Sequence, residues 1–283
     1  MNLLKGKVAL VTGASRGVGR GIAKGLGEKG ATVYITGRTV EEKDSEVPLE
    51  GTIDATAEEV NRLGGNGIPY QCDHQNDEEV NSLFKNIEKE YGKLDILVNN
   101  VWAGYENIYH ANSPGEYIFE NNFWELPTNF WDDMFKVGLR SHFIASQQAV
   151  PLMIGQKNAL IVNISFFAAQ TYISNVPYGV CKAAIDKMSK DMALELKEHG
   201  ITSLSLYPGL VRTEGVMRNK DFIDLSNSES PIFIGRAVAA LANDKNVINK
   251  TGQILIAAEI AREYKFTDID GELPNSLREK YLS

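Results

Sequence analysis

The chain has 283 residues, of which 43% are hydrophobic and 23% are charged, so it can bury a sizeable core. Its formal net charge is −8 and no run of Lys or Arg occurs, so nucleic acid and anionic membrane are not expected as partners. Two cysteines do not make a disulfide framework. No apolar run approaches the ~18 residues of a membrane span or resembles a secretory signal, so we expect a soluble, cytoplasmic protein.

Short β-branched segments recur along the chain, and most are apolar almost throughout, which is typical of strands covered on both faces. They lie at 7–12, 32–36, 68–72, 94–99, 159–165, 201–207 and 253–257. Segments with helical periodicity lie between them, many with Asp or Asn near the start and Gly at the end. This alternation predicts an α/β fold, a Rossmann-type doubly wound parallel sheet of about seven strands with helices on both faces.

Three segments depart from this rhythm. Residues 39–53 lengthen the loop after the second strand, and residues 102–127, rich in aromatic side chains, form a long insertion after the fourth. Residues 214–230 are polar and weakly periodic, which predicts a mobile lid. No internal repeat or linker occurs, so we expect residues 1–283 to form a single dinucleotide-binding and catalytic domain.

A glycine-rich turn, "VTGASRGVGRGIA", follows the first strand and opens the first helix. Its glycines, Gly13, Gly17 and Gly19, let the backbone turn sharply and approach a pyrophosphate at the helix N-terminus. A glycine turn without a ligand is the alternative. Its position between the first strand and the first helix favours a dinucleotide site.

The residues at the end of the second strand discriminate between the two nicotinamide cofactors. An acid here holds the ribose hydroxyls of NAD, but this strand ends in Thr36-Gly37-Arg38. Arg16 in the glycine loop adds a second cation. Two guanidinium groups and no carboxylate suit a 2′-phosphate, so we expect NADP as cofactor, the alternative being that Arg38 is only a solvated loop residue.

Five motifs occur in the order typical of one known family. They are T-G-x3-G-x-G at 12–19, Asp73 after the third strand, Asn99-Asn100 after the fourth, Ser165 followed by Y-x3-K at Tyr178 and Lys182, and P-G-x-V-x-T at 208–213. Over nearly its whole length the chain resembles the short-chain dehydrogenase/reductase family. Further segments, among them "GATVYITGR" and "NVPYGVCKAA", resemble one subgroup of that family.

The resemblance implies a nicotinamide cofactor along the carboxyl edge of the sheet, and homo-oligomerisation. The residues implied or expected to hold the cofactor are Gly13, Ser15, Arg16, Gly17, Val18, Gly19, Arg38, Asp73, His74, Asn99, Tyr178, Lys182, Pro208, Gly209, Val211 and Thr213.

The expected catalytic residues are Ser165, Tyr178 and Lys182. A phenol has a pKa of about 10, and an ammonium group four residues further along the same helical face lowers it toward useful values. Ser165 emerges at the carboxyl end of a buried strand, where its hydroxyl can donate to a substrate carbonyl. Tyr178 would be the proton donor in reduction, and Lys182 would hold the nicotinamide ribose. Further along this helix, the charged residues Asp186 and Lys190 are predicted to face solvent.

Three departures from the family pattern bear on function. Trp102 occupies a position that usually holds glycine in N-N-A-G, and "ILIAAEIAREY" replaces the usual V-D-G-G, which puts the usual C-terminal oligomer contacts in doubt. Gly138 stands where many members have an asparagine that supports the proton relay behind lysine. A backbone carbonyl could still hold the relay water there; otherwise catalysis is slow or absent.

The substrate side is rich in aromatic residues. We expect an apolar pocket formed in part by Trp102, Tyr105, Trp124, Phe166, Phe167 and Tyr172, the alternative being that these only pack the insertion. The scattered histidines give no metal-ligand spacing, so no metal is expected. The sequence thus favours an NADP-dependent oxidoreductase that interconverts a carbonyl and an alcohol on a small apolar molecule. The alternatives are a cofactor-binding sensor or interaction protein without turnover, and an enzyme of the same fold that catalyses isomerisation or dehydration.

Overall fold

The computed structural model describes residues 2–45, 47, 49–104 and 119–282. Its strands are β1 (Val8–Val11), β2 (Thr32–Gly37), β3 (Asn66–Gln71), β4 (Ile96–Asn99), β5 (Ala159–Ile164), β6 (Ile201–Tyr207), β7 (Leu210–Val211), β8 (Ser228–Glu229) and β9 (Ile254–Ile256). Within these ranges, seven strands form one parallel sheet in the order β3-β2-β1-β4-β5-β6-β9, while β7 and β8 pair separately. The predicted doubly wound α/β sheet is therefore confirmed.

Helices connect the strands. They are α1 (Gly17–Gly27), α2 (Ile53–Arg62), α3 (Asp77–Tyr91), α4 (Thr128–Phe135), α5 (Ser141–Met153), α6 (Val176–Leu196), α7 (Glu214–Arg218), α8 (Pro231–Asn243), α9 (Ala257–Tyr264) and α10 (Arg278–Leu282). A π-helical turn, Lys136–Arg140, joins α4 to α5. The side chain of Asn76 caps the start of α3, and Gly92, with φ of 64°, ends it.

Alternate residues of the strands enter two separate cores. In β1, Ala9 and Val11 pack on one face with α1, α2 and α8, whereas Val8 and Leu10 pack on the other with α3 and α5. Because both faces are covered by helices, the central strands are apolar almost throughout. No helix in the described ranges is long and apolar enough to cross a membrane.

Candidate active site

A cavity of about 350 Å³ opens at the carboxyl ends of the central strands. It lies where the strand order reverses, since β1 has β2 on one side and β4 on the other. Open α/β sheets place their ligands in this crevice. Nearly all of the predicted site residues line it: Gly13, Ser15, Arg16, Gly17, Val18, Arg38, Asp73, His74, Ser165, Tyr178, Lys182, Pro208, Gly209, Val211 and Thr213.

The glycine loop is built to receive an anion. Gly13 has φ of 64°, and a Cβ there would lie 2.8 Å from Val101 Cα, so only glycine fits. The Asn100 amide secures the loop by donating to the carbonyl oxygens of Thr12 and Gly13, at 2.9 and 3.0 Å. At the start of α1, Gly17 N–H donates to the Glu214 carboxylate at 2.8 Å. Since this amide already binds an anionic oxygen, the loop fits a dinucleotide pyrophosphate.

Two predicted cofactor residues do not line the cavity. Gly19 packs inside the loop, where a Cβ would lie 2.3 Å from Gly13 O. Asn99 is fully buried, and its amide donates to Ser146 Oγ at 2.9 Å and to Asn163 Oδ1 at 2.8 Å. The neighbouring residue, Asn100, lines the cavity instead.

The adenosine end of the cavity has cationic and polar walls. Arg16 Nη2 donates to Thr39 Oγ1 at 3.2 Å and to Gly51 O at 3.0 Å, which places it beside the residue that follows Arg38. A ring nitrogen of His74 lies 2.8 Å from Thr36 Oγ1. Burial lowers the pKa of His74 to about 4, so this ring is neutral near pH 7.

Ser165, Tyr178 and Lys182 converge at the other end of the cavity. Ser165 Oγ donates to Lys182 O at 3.2 Å, and Lys182 Nζ donates to Ile164 O at 3.2 Å. Burial lowers the pKa of Lys182, which is enclosed by protein. The side chain of Asn175 caps the start of α6 by accepting from Tyr178 N at 2.9 Å, so the tyrosine sits in the first turn of a rigid helix.

The segment after β6 forms part of the cavity wall. Gly209 N–H donates to the Glu229 carboxyl, and burial raises the pKa of Glu229 to about 8. Arg212 Nη2 bonds Asp268 Oδ2 at 3.0 Å, which ties this segment to the turn "TDIDG". Within the described residues, no group of three His, Cys, Asp or Glu side chains could hold a metal ion.

Trp102 and Gly138, two of the departures from the family pattern, lie next to each other. A Cβ at Gly138 would lie 3.2 Å from Cys181 Sγ and 3.5 Å from Trp102 Cδ1. Gly138 lies in the π-helical turn, and Trp102 Nε1 donates to Met134 Sδ at 3.2 Å. A side chain at residue 138 would therefore be in tight contact with the thiol and in van der Waals contact with the indole.

The aromatic prediction is correct in part. Trp102 and Phe166 line the cavity, and the Trp102 and Tyr178 ring centroids are 5.8 Å apart. The prediction is wrong for Phe167, which is buried in the core against Tyr207, and for Trp124 and Tyr172, which are 69% and 73% exposed and do not line it. Tyr105 lies outside the described residues.

Phe119 belongs to this cluster but was not predicted. Its ring centroid lies 5.3 Å from that of Tyr178, and its carbonyl oxygen accepts from the Asn175 amide. The sequence of the long insertion has no periodicity from which the contact between Phe119 and Tyr178 could be inferred.

Asp186 was predicted to face solvent, and this is wrong. Tyr207 Oη donates to Asp186 Oδ2, and Asp186 Oδ1 is buried. The signal in the sequence is in β6, where Ser203, Ser205 and Tyr207 alternate and are all buried. Polar groups on one face of a buried strand need polar partners on the helix that covers them.

This sheet, with its glycine loop and its Ser, Tyr and Lys side chains around one crevice, is that of a nicotinamide-dependent oxidoreductase. The family model for short chain dehydrogenases matches residues 7–223. The chain belongs to the short-chain dehydrogenase/reductase family.

Individual relatives and a solved structure support the same family membership. Dehydrogenase/reductase SDR family member 1 of Mus musculus is 42% identical, covering 95% of this chain and 85% of the relative. The Homo sapiens protein of that name is 40% identical with the same coverage. A crystal structure of a short chain dehydrogenase from Mycobacterium thermoresistibile has a TM-score of 0.78 at 26% identity, covering 96% of this chain and 92% of that one. The expected subgroup is therefore confirmed.

Proposed function

We propose that this protein is an NADP-dependent carbonyl reductase that interconverts ketones or aldehydes and the corresponding alcohols. The observation that carries the proposal is the convergence of Ser165, Tyr178 and Lys182 at one end of the cavity, with the glycine loop lining the same cavity. Family membership supports the oxidoreductase class, and these residues support the reaction within it.

Each of the three side chains has a distinct role in this proposal. The bound nicotinamide cofactor supplies the hydride for carbonyl reduction. Ser165 donates a hydrogen bond to the carbonyl oxygen as negative charge develops there. Tyr178 gives its phenolic proton to that oxygen, and the nearby Lys182 ammonium stabilises the phenolate that remains.

The preference for NADP is supported by the cations at the adenosine end. Arg38 lies at the end of β2 and lines the cavity together with Arg16, and no carboxylate occurs at the end of that strand. A guanidinium group binds a phosphate through charge-assisted, bidentate hydrogen bonds.

An apolar substrate is supported by the walls around Tyr178. Trp102, Val137 and Phe166 line this end of the cavity and offer no charge to a substrate. We include residues 214–230 as a lid, because α7 and the turns after it follow directly on the segment that lines the cavity. Residues 1–283 would then act as one domain.

The reaction is tested by following NADPH oxidation over a panel of aldehydes, ketones and steroids. We expect turnover of apolar carbonyl compounds by the wild type and its loss in Tyr178→Phe. Tyr172→Phe is the matched control, because this phenol is 73% exposed and bonds Ser174 O away from the cavity. Cofactor binding without turnover of any compound would favour a sensor or interaction protein, and equal rates for wild type and Tyr178→Phe would refute the assignment.

Cofactor choice is tested separately, by comparing NADPH and NADH dissociation constants. We expect Arg38→Ala to weaken NADPH binding about tenfold while NADH binding stays nearly constant, because a charge-assisted pair to phosphate contributes about 1.5–3 kcal/mol. Arg62→Ala, on the exposed surface of α2, is the control. A wild type that prefers NADH would refute NADP dependence and leave the reductase proposal intact.

A further inference from the structure

The two ends of the lid, residues 214–230, lie side by side. β7, just before the lid, pairs with β8 near its end, and Arg212 Nη1 donates to Ser228 O at 2.8 Å. Residues 228–230 are buried, whereas residues 217–222 are exposed. The lid is therefore a loop whose ends are close together and whose middle packs against little of the protein.

One buried acid binds both ends of this loop. Asp268 is 3% exposed, and its Oδ2 accepts from Arg212 Nη2 at 3.0 Å and from Ser230 N at 2.7 Å. Ser230 Oγ also donates to Asp268 Oδ1. Arg212 lies two residues before the lid and Ser230 is its last residue. Asp268 therefore joins the positions at which the chain enters and leaves the lid.

The segment that carries Asp268, residues 265–277, contacts both a core helix and the lid. It follows α9, the helix that stands where the family pattern has V-D-G-G. Arg236 on α8 donates from Nη1 to Thr267 O at 2.9 Å. Asn275 N donates to Asn227 Oδ1 at 2.8 Å, and Asn227 Nδ2 donates to Asn275 O at 3.2 Å. This segment is thus a support that connects the end of the lid to the body of the fold.

The inner side of the lid and the turn before it belong to the cavity. Val216 of the lid lines the cavity, together with Pro208, Gly209, Val211 and Thr213. The position of the lid therefore decides how closely these residues approach a bound cofactor and substrate. Because both ends are held before anything binds, less conformational entropy is lost when the lid closes.

We propose that Asp268 is a positioning residue of the reductase site: it binds Arg212 before the lid and Ser230 at its end, and so fixes the hinges on which the lid closes over cofactor and substrate. Hinges of this kind are a few residues at the ends of a mobile loop, away from the chemistry. The proposed catalytic side chains lie after β5 and on α6, so they keep their positions when the lid opens. This inference rests on the proposed function.

Kinetics separate lid positioning from the chemical step. Asp268→Asn keeps the shape and an oxygen that accepts from Ser230 N, but it weakens the bond to Arg212. We expect the KM for an apolar carbonyl compound and the Kd of NADPH each to rise about tenfold, because binding must then also order the hinges. The rate of hydride transfer at saturation should stay within a few-fold of wild type. Arg212→Met should give the same pattern, and Arg212→Lys, which keeps the charge, should recover most of the affinity.

The matched control is Asp95→Asn. Asp95 is also a buried acid that accepts from a cation and a backbone amide, Lys7 Nζ at 2.8 Å and Val8 N at 2.9 Å, but it lies at the amino ends of the strands. We expect this variant to lose stability and to keep the wild-type KM and Kd. Equal rises for Asp95→Asn and Asp268→Asn would overturn the proposal, because the effect would then follow stability alone. Unchanged KM and Kd in Asp268→Asn would overturn it as well.

Amide hydrogen exchange gives a readout without turnover. We expect NADPH to slow exchange in residues 214–230 of the wild type, and we expect Asp268→Asn, but not Asp95→Asn, to exchange faster there with and without NADPH. Wild-type exchange rates in the lid of Asp268→Asn would overturn the proposal. A wild type that binds NADPH and reduces no carbonyl compound would refute the proposed function. Faster lid exchange in Asp268→Asn would then still identify Asp268 as the anchor of a cofactor-binding lid.

Discussion

The ammonium group of Lys182 lies 5.7 Å from the centre of the Tyr178 ring and donates to Ile164 O. The two residues are one helical turn apart on α6, so the helix itself sets their separation. Burial lowers the pKa of Lys182, which means that the folded protein holds its charged form at a cost in stability. Function and stability therefore make opposite demands on this position.

Replacing Lys182 by methionine tests whether the buried ammonium group lowers stability while it supports catalysis. Lys182→Met keeps a similar shape and removes the buried charge, so we expect the free energy of unfolding to rise by about 1 kcal/mol. We also expect kcat to fall at least ~100-fold, since the phenolate of Tyr178 loses its stabilising charge. Urea denaturation and steady-state NADPH oxidation measure the two effects.

Lys187→Met, at an exposed residue paired with Asp191, is the matched control and should change neither quantity appreciably. A less stable Lys182→Met protein would show that the charge contributes more through its hydrogen bond than burial removes.

Gly138 gives a second prediction. Because Cys181 Sγ would lie 3.2 Å from a Cβ at this position, Gly138→Asn should overpack the site and destabilise the protein by about 1–3 kcal/mol. It should not raise kcat, although asparagine is the residue that many family members have there. Cys181→Ala should relieve part of the destabilisation, which a double-mutant cycle of unfolding free energies measures. If the changes in unfolding free energy of the two single variants simply added in the double variant, the two positions would not be in contact.

The sequence predicted the sheet and the cavity-lining residues because both depend on local patterns. Apolar segments, helix caps and the glycine turn are each contained in a few consecutive residues, and parallel strands bring their carboxyl ends to one edge. The positions of Trp124 and Tyr172 could not be predicted in this way. Their residue types favour a pocket, but only the path of the insertion, for Trp124, and of the connection between β5 and α6, for Tyr172, decides which rings are exposed.

Asp186 was misjudged for a related reason. A charged residue on a helix usually faces solvent, and nothing within α6 indicates otherwise. Its environment depends on Ser205 and Tyr207 of β6, about twenty residues away in the chain. Interactions across two elements are visible in sequence only when the polar residues of the strand are read together with the helix.

Glu214 leads to a third prediction, on cofactor affinity. Its carboxylate accepts from Gly17 N at 2.8 Å, at the helix start where a pyrophosphate would bind, and lies 3.6 Å from Arg20. Glu214→Gln removes the competing charge, so we expect NADPH to bind about two- to fivefold more tightly at low salt. Fluorescence titration measures this, with the exposed Glu58→Gln on α2 as control. Weaker binding by Glu214→Gln would show that this carboxylate supports the binding site and does not compete with the cofactor.

Glu229 controls how stability depends on pH. Its carboxyl ionises near 4.5 in the unfolded chain, whereas burial raises the pKa in the folded protein to about 8. Between these values the unfolded state has released the proton and the folded state retains it, so stability falls as pH rises. We expect the wild type to lose on the order of 4 kcal/mol across this range through Glu229 alone.

Glu229→Gln should lack that loss, because the amide is neutral at every pH and can still accept from Gly209 N. Urea denaturation at intervals between pH 5 and pH 9 (roughly the window that the two pKa values define) gives the slopes to compare. Glu195→Gln, at an exposed acid of α6, should keep the slope of the wild type. Parallel curves for wild type and Glu229→Gln would mean that Glu229 is ionised in the folded state. The segment that lines the cavity would then be held by a carboxylate that accepts from Gly209 N rather than by a neutral acid.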